Sequence, residues 1–226
     1  MKQKNILWLY LFLLLGILDI FLVANDHSEW RWYSKPFLLP TLLAYFISVS
    51  RELKGSYLRI SMIAALIFSW MGDVLLMFQD FFIYGLGAFL MAHLCYTIAF
   101  KISQKDPFAL RQVNFVKLFF NNFPIYLLAA LAYFLISPGL GQMKIPVIAY
   151  LVIIVLMATT ARERFGKTVP ESFWQVMIGA FVFMVSDAIL AINLFYKAFP
   201  EAGVIVMGTY IIAQLLIVRG IQRHYQ

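Results

Sequence analysis

The stretch 69–100 reads SWMGDVLLMFQDFFIYGLGAFLMAHLCYTIAF, and its reading decides the fold. Two apolar runs flank a short turn that carries Asp80. The first run holds Asp73 within it, and the second holds His93 and Tyr96. Each run is long enough to be a membrane-spanning helix. A carboxylate or an imidazole is costly to hold in hydrocarbon, so such residues in a span mark function by default.

The rest of the chain repeats the pattern. Of its 226 residues, 63% are hydrophobic and 13% charged, with a mean hydropathy of +0.84. A soluble domain is nearer half apolar and a quarter charged. The expected class is therefore all-α, an integral membrane bundle in a single domain covering residues 1–226. Hydropathy gives eight spanning segments, at 6–24, 36–50, 58–78, 82–100, 116–136, 145–161, 173–195 and 203–219. The first run has no small-residue cleavage site after it and reads as a retained helix, not a signal peptide. Pro36, Pro40 and Pro146 are expected at helix starts, where proline costs little.

Orientation follows from Lys and Arg. Fourteen of them fall on one side of this arrangement, among them Arg51, Lys54, Lys101, Arg162 and Arg219. Four fall on the other: Arg31, Lys35, Lys144 and Lys197. The bias predicts both termini in the cytoplasm, with the 102–115 loop also inside. The net charge of +7 is accounted for by these loops, and no basic tract suggests nucleic acid. A single cysteine, Cys95, excludes an intrachain disulfide and a cysteine metal cluster. Of the three histidines only His93 falls in an expected span, so neither a metal site nor a cofactor is expected.

Three acids lie within spans: Asp19, Asp73 and Asp187. At 1.5 Å per residue each sits roughly 20 Å from the inner end of its helix, so all three share one depth in the outer half. Lys35, on the same side, is the natural countercharge to one of them. Asn193 lies further out on the seventh helix. His93 and Tyr96, three apart, share a face, as do Tyr210 and Gln214, four apart, and Ser69 and Asp73. Together they outline a polar cavity, widest outward. Each has a plainer reading too. Asp19 can reach headgroups, Lys35 can anchor at the interface, and Tyr96, Tyr210 and Gln214 can bond helix to helix. Two deep carboxylates at matched depth, Asp73 and Asp187, fit such a reading least. VFMVSDAIL at 182–190 echoes FSWMGDVLL at 68–76, a weak sign of duplication that chance similarity of apolar helices also produces.

At these residues the chain resembles the YhhN family of membrane proteins, whose animal members are lysoplasmalogenases. The matching pieces are WYSKP at 32–36, GDVLL at 72–76, GAFLMAHLCYTIAF at 87–100, VSDAILA at 185–191 and TYIIAQLLI at 209–217. The resemblance implies eight helices and hydrolysis of the vinyl ether of lysoplasmalogen to a fatty aldehyde and a glycerophospho-base. It matches Asp73, His93, Tyr96, Asp187 and Gln214. It implies a lysophospholipid substrate, and a multipass protein of a bacterial inner (cell) membrane.

The chemistry suits the acids. Protonating the outer alkene carbon of a vinyl ether gives an oxocarbenium ion; water adds, and the hemiacetal collapses to aldehyde and alcohol. Such a site needs one neutral carboxylic acid and one anion, which two close carboxylates in a low dielectric supply. Asp73 and Asp187 are the expected catalytic pair. Asp19, Lys35, His93, Tyr96, Asn193, Tyr210 and Gln214 are expected around the substrate, with Lys35 toward its phosphate. A proton-coupled transporter or a lipid-binding protein could use the same buried acids.

Overall fold

The computed structural model describes residues 2–105 and 115–225. Eight α-helices account for most of them: α1 Lys2–Ala24, α2 Lys35–Val49, α3 Tyr57–Leu75, α4 Phe82–Ile102, α5 Phe115–Ile136, α6 Lys144–Glu163, α7 Pro170–Phe195 and α8 Ala202–His224. No strand occurs among the described residues. Most of the 102–115 loop, expected on the inner side, lies outside the described residues.

Seven of these helices are long and apolar enough to cross a membrane. The exception is α2. At 15 residues it is about 22 Å long, short of the roughly 30 Å hydrocarbon core. The 3₁₀ turns Ser28–Tyr33 and Arg51–Leu53 extend it at both ends. It buries Leu38, Leu42 and Phe46 against its neighbours. Pro40 is a correction: it lies inside α2, not at its start. A proline there cannot donate to the carbonyl four residues back, that of Pro36. Trp70 of α3 fills the gap, its indole N–H donating to the Pro36 carbonyl at 2.8 Å.

Large apolar side chains face outward along the spans, Leu7, Ile17, Phe134 and Ile145 among them. Hydrocarbon, unlike water, exacts no cost for this. The closest helix pair is α7 with α8. A Cβ on Gly179 would come within 3.0 Å of the Ala213 carbonyl oxygen, and one on Gly220 within 2.9 Å of the Val176 nitrogen. These glycines let the two backbones meet, the usual device where apolar burial cannot drive helix association.

Polar ties fix the end of the bundle away from the three acids. Lys101 of α4 pairs with Glu163 of α6 at 2.9 Å. Tyr45 of α2 donates to Gln222 of α8 at 2.6 Å. Arg164, fully buried just beyond α6, donates to Ser103 Oγ at 2.9 Å, Ser172 Oγ at 2.7 Å and the Ser172 carbonyl at 3.2 Å. It ties α4, α6 and α7 together. Burial pushes its guanidinium down to about 10, still charged at neutral pH.

Candidate active site

A cavity of about 290 Å³ opens among α3 to α8, with Arg31 and Lys35 at its rim. Most of its wall is apolar, from Leu76 of α3, Phe89 of α4, Leu128 of α5, Ile154 of α6 and Met207 of α8. Six further polar residues break the apolar wall: Asp73, Tyr150, Ser186, Asp187, Asn193 and Tyr210.

Asp73 comes from the last turn of α3. The residue before it, Gly72, admits the Phe89 ring: a Cβ there would lie 2.5 Å from Phe89 Cδ2. Phe89 in turn meets the Tyr210 ring edge-on at 6.0 Å. That packing aims Tyr210, whose hydroxyl donates to Asp73 Oδ2 at 2.7 Å. Asp187 comes from α7, two turns before its end. Its Oδ2 accepts the Tyr150 hydroxyl of α6 at 2.5 Å. The two acids are thus built alike, each holding one tyrosine hydroxyl on Oδ2 and leaving Oδ1 with no hydrogen-bond partner among the described residues. No hydrogen bond joins the two carboxylates among the described residues; both line the same cavity, as does Lys35.

The other expected residues divide. Asn193 reaches the cavity wall, but its Oδ1 accepts the Phe199 backbone N–H at 3.1 Å and closes the turn after α7. His93, Tyr96 and Gln214 are fully buried and stand behind the wall. Tyr96 donates to Gln214 Oε1 at 2.5 Å. Gln214 lies one turn from Tyr210 on α8, so this pair backs the Asp73 side. His93 backs the Asp187 side. Its Nε2 is 3.9 Å from Asp187 Oδ2, beyond hydrogen-bond distance, and its ring meets Tyr150 and Phe183 edge-on at 5.3 and 4.8 Å.

Asp19 is also behind the wall. It is 0% exposed and neither reaches headgroups nor lines the cavity. It accepts Arg31 Nε at 3.3 Å, Arg31 Nη2 at 3.1 Å and Ser34 Oγ at 2.8 Å. Sequence reasoning missed two residues here. Tyr150 is one aromatic in an apolar helix, with no polar companion one turn away to flag it. Arg31 was counted only as a loop charge.

The fold and the cavity define a class: a multipass helical membrane protein with two carboxylates lining a mostly apolar cavity. The chain belongs to the YhhN family, whose sequence profile matches residues 30–221. It is similar to the lysoplasmalogenase TMEM86A of Homo sapiens, with 30% identity over 67% of this chain and 61% of that protein. It is similar to the lysoplasmalogenase TMEM86B of Sus scrofa, with 33% identity over 68% and 59%. A lysoplasmalogenase of Mycobacterium bovis is 30% identical over 70% of this chain and 59% of that protein. The chain thus spans about three fifths of the length of these relatives. No solved structure matches it significantly.

Proposed function

We propose that this cavity hydrolyses the vinyl ether of a lysoplasmalogen, releasing a fatty aldehyde and a glycerophospho-base. The observation that carries the reading is the pair Asp73 and Asp187 in one apolar cavity, each with one oxygen held by a tyrosine and one left open. The names of the similar proteins give the substrate class.

The first step transfers a proton from one carboxylic acid to the outer alkene carbon, leaving an oxocarbenium ion. The other carboxylate, anionic nearby, stabilises that cation in a low-dielectric site, where a fixed charge acts most strongly. Water then adds to the cation and gives up a proton to the carboxylate that donated the first. Collapse of the hemiacetal yields aldehyde and alcohol. One water is consumed and the acid is restored, so no external proton source is required. The tyrosines fix the carboxylate rotamers, and the apolar wall of α5 and α6 takes the hydrocarbon tail. The chain acts from a cell membrane with the cavity mouth outward, on the side poor in Lys and Arg.

The test uses purified full chain in neutral detergent with a lysoplasmalogen and its acyl ester counterpart. Fatty aldehyde from the vinyl ether lipid, with no acid released from the ester, is the expected result, because an ester carbonyl offers no alkene carbon to protonate. Detergent removes any transmembrane gradient, so turnover there also excludes a pure transporter. Absence of aldehyde from folded protein would overturn the proposal.

A further inference from the structure

Two cations stand at the cavity rim. Arg31 comes from the 3₁₀ turn Ser28–Tyr33 and Lys35 opens α2, and both line the cavity. Their settings differ. Arg31 is locked: Asp19, wholly buried, takes Nε and Nη2 along one edge of the guanidinium, and Ser34 holds Asp19 from the other side. A guanidinium has five N–H donors in a planar fork, so Nη1 and the outer hydrogen of Nη2 remain for another acceptor. The Arg31 side chain is 24% exposed while Asp19 is 0% exposed. Lys35 is free: among the described residues its Nζ has no hydrogen-bond or ion-pair partner. The carboxylates that act on its charge are Asp73, in the cavity, and Asp19, behind the rim.

Asp19 offsets Arg31, whereas no side chain among the described residues holds Lys35 Nζ by a hydrogen bond or ion pair. An unpaired ammonium beside a preset guanidinium, on the wall of an otherwise apolar cavity, suits an anion with several acceptor oxygens. Arginine forks match phosphate geometry, and lysine adds a point charge. Arg31, Lys35, Asp73 and Asp187 all line the one cavity, so a single small ligand within it meets both the cations and the acids. In a lysophospholipid the phosphate and the ether oxygen are likewise separated only by the three carbons of glycerol.

We propose that Arg31 and Lys35 form a phosphate subsite for the headgroup of a single-chain phospholipid, with Asp19 as the residue that positions Arg31. This deepens the hydrolase reading, and its substrate pose rests on that reading. It also gives Asp19 a different part from that of a substrate ligand.

The test is binding, not turnover. The probes are a saturated alkyl-ether lysophospholipid, which lacks the vinyl bond, the matching alkylglycerol, which lacks the phosphate, and glycerol 3-phosphate, which lacks the tail. Affinities are measured by calorimetry on full chain in neutral detergent. The wild type should prefer the phosphate lipid to the alkylglycerol by about 10- to 100-fold, the range expected for charge-assisted hydrogen bonds. Arg31→Gln and Lys35→Gln should each bring that ratio toward one and leave alkylglycerol affinity unchanged. Asp19→Asn should lower the ratio in the same way, through Arg31. A wild-type ratio near one, or an unchanged ratio in both cation variants, overturns the subsite. Loss of both lipids in Asp19→Asn overturns its positioning role and leaves it a purely structural acid. Glycerol 3-phosphate binding as tightly as the lipid would assign the site to free phosphate instead. Because no probe is cleaved, preserved discrimination in a protein that releases no aldehyde would sink the hydrolase reading alone.

Discussion

Asp73 and Asp187 each bind a tyrosine hydroxyl through Oδ2 and keep Oδ1 open, an arrangement that holds a carboxyl still without blocking it. Asparagine keeps the shape and can still accept the tyrosine hydrogen bond, but it can neither donate a carboxylic proton nor carry a negative charge. Asp73→Asn and Asp187→Asn should therefore each lower aldehyde release by about 10²–10⁴ with the fold intact. The double variant should be little worse, since groups that act as a unit are not additive. Full activity in Asp187→Asn would end the two-carboxylate mechanism. Tyr150→Phe should act more mildly. It removes one hydrogen bond to a charged group, worth roughly 1.5–3 kcal/mol, and should lower kcat by at least tenfold with KM little changed. An unchanged kcat would make that hydrogen bond incidental. The acids were legible in the sequence because a charge in an apolar run stands out on any hydropathy scale. Tyr150 was not: a tyrosine fits a lipid-facing, a packing or a polar role equally well, and only the approach of α6 to α7 selects one. Asp19 was legible as a buried acid, but its partner Arg31 arrives from a turn whose path hydropathy does not describe.

At the scale of helices, the glycines of α7 and α8 have a defined task. Gly179 faces the backbone of α8 at Ala213, two turns from Asp187. Gly179→Leu must push the helices apart, and overpacking of this kind typically costs 1–3 kcal/mol. The expected result is a lower melting temperature in detergent together with lost activity, since Asp187 and Tyr210 ride on the two helices that separate. Gly208→Ala, on α8 with nothing within 4 Å of the added Cβ, should be tolerated. Equal stability of the two variants would show that the close approach is not needed. The knot at Arg164 allows a pH test. Burial lowers its folded value to about 10, below the ordinary arginine range. Below pH 10 the folded and unfolded chains both hold the proton, so the knot adds no slope to stability; a gain with rising pH begins only above about 10. Burial and the nearby guanidinium hold His224 below the ordinary histidine range, so it is neutral at pH 8 and above. Arg164→Gln should thus cost the same stability at pH 8 and pH 9, and a cost that differs between them would assign the charge elsewhere. Helix limits were readable to within a few residues because length and hydropathy decide them. The inner end of α8 was the weakest, since it continues past Arg219 to His224 in polar sequence held by helix packing and by the Tyr45–Gln222 bond.

The whole molecule alternates, and the acids reveal it. Near the end of α1, Asp19 accepts the hydroxyl of Ser34, just before α2, at 2.8 Å, and near the end of α3, Trp70 donates to the Pro36 carbonyl at the start of α2 at 2.8 Å. Chain ends that meet this way place the C-terminal ends of α1 and α3 and the N-terminal end of α2 at one level. The short α2 then runs from that level toward the far end, where its Tyr45 meets Gln222 of α8. Tyr210, in the third turn of α8, reaches Asp73, so α8 also begins at that level and descends. At the opposite end, Lys101 of α4 meets Glu163 of α6, and Tyr45 of α2 meets Gln222 of α8. Even-numbered helices descend from the cavity side, so the N-terminal end of α1 and the C-terminal end of α8 lie away from it. Arg51, Lys54, Lys101, Arg162, Arg219 and Arg223 lie on that far side, whereas Arg31, Lys35, Lys144 and Lys197 lie on the cavity side. Loops rich in Lys and Arg stay in the cytoplasm. A reporter fused after Gln226 should accordingly signal from the cytoplasm, and a cysteine placed in the turn at Asp80 should react with an impermeant thiol reagent from outside. Labelling at Asp80 from the cytoplasmic side would invert the bundle and turn the cavity, with its phosphate-ready rim, toward the inner leaflet.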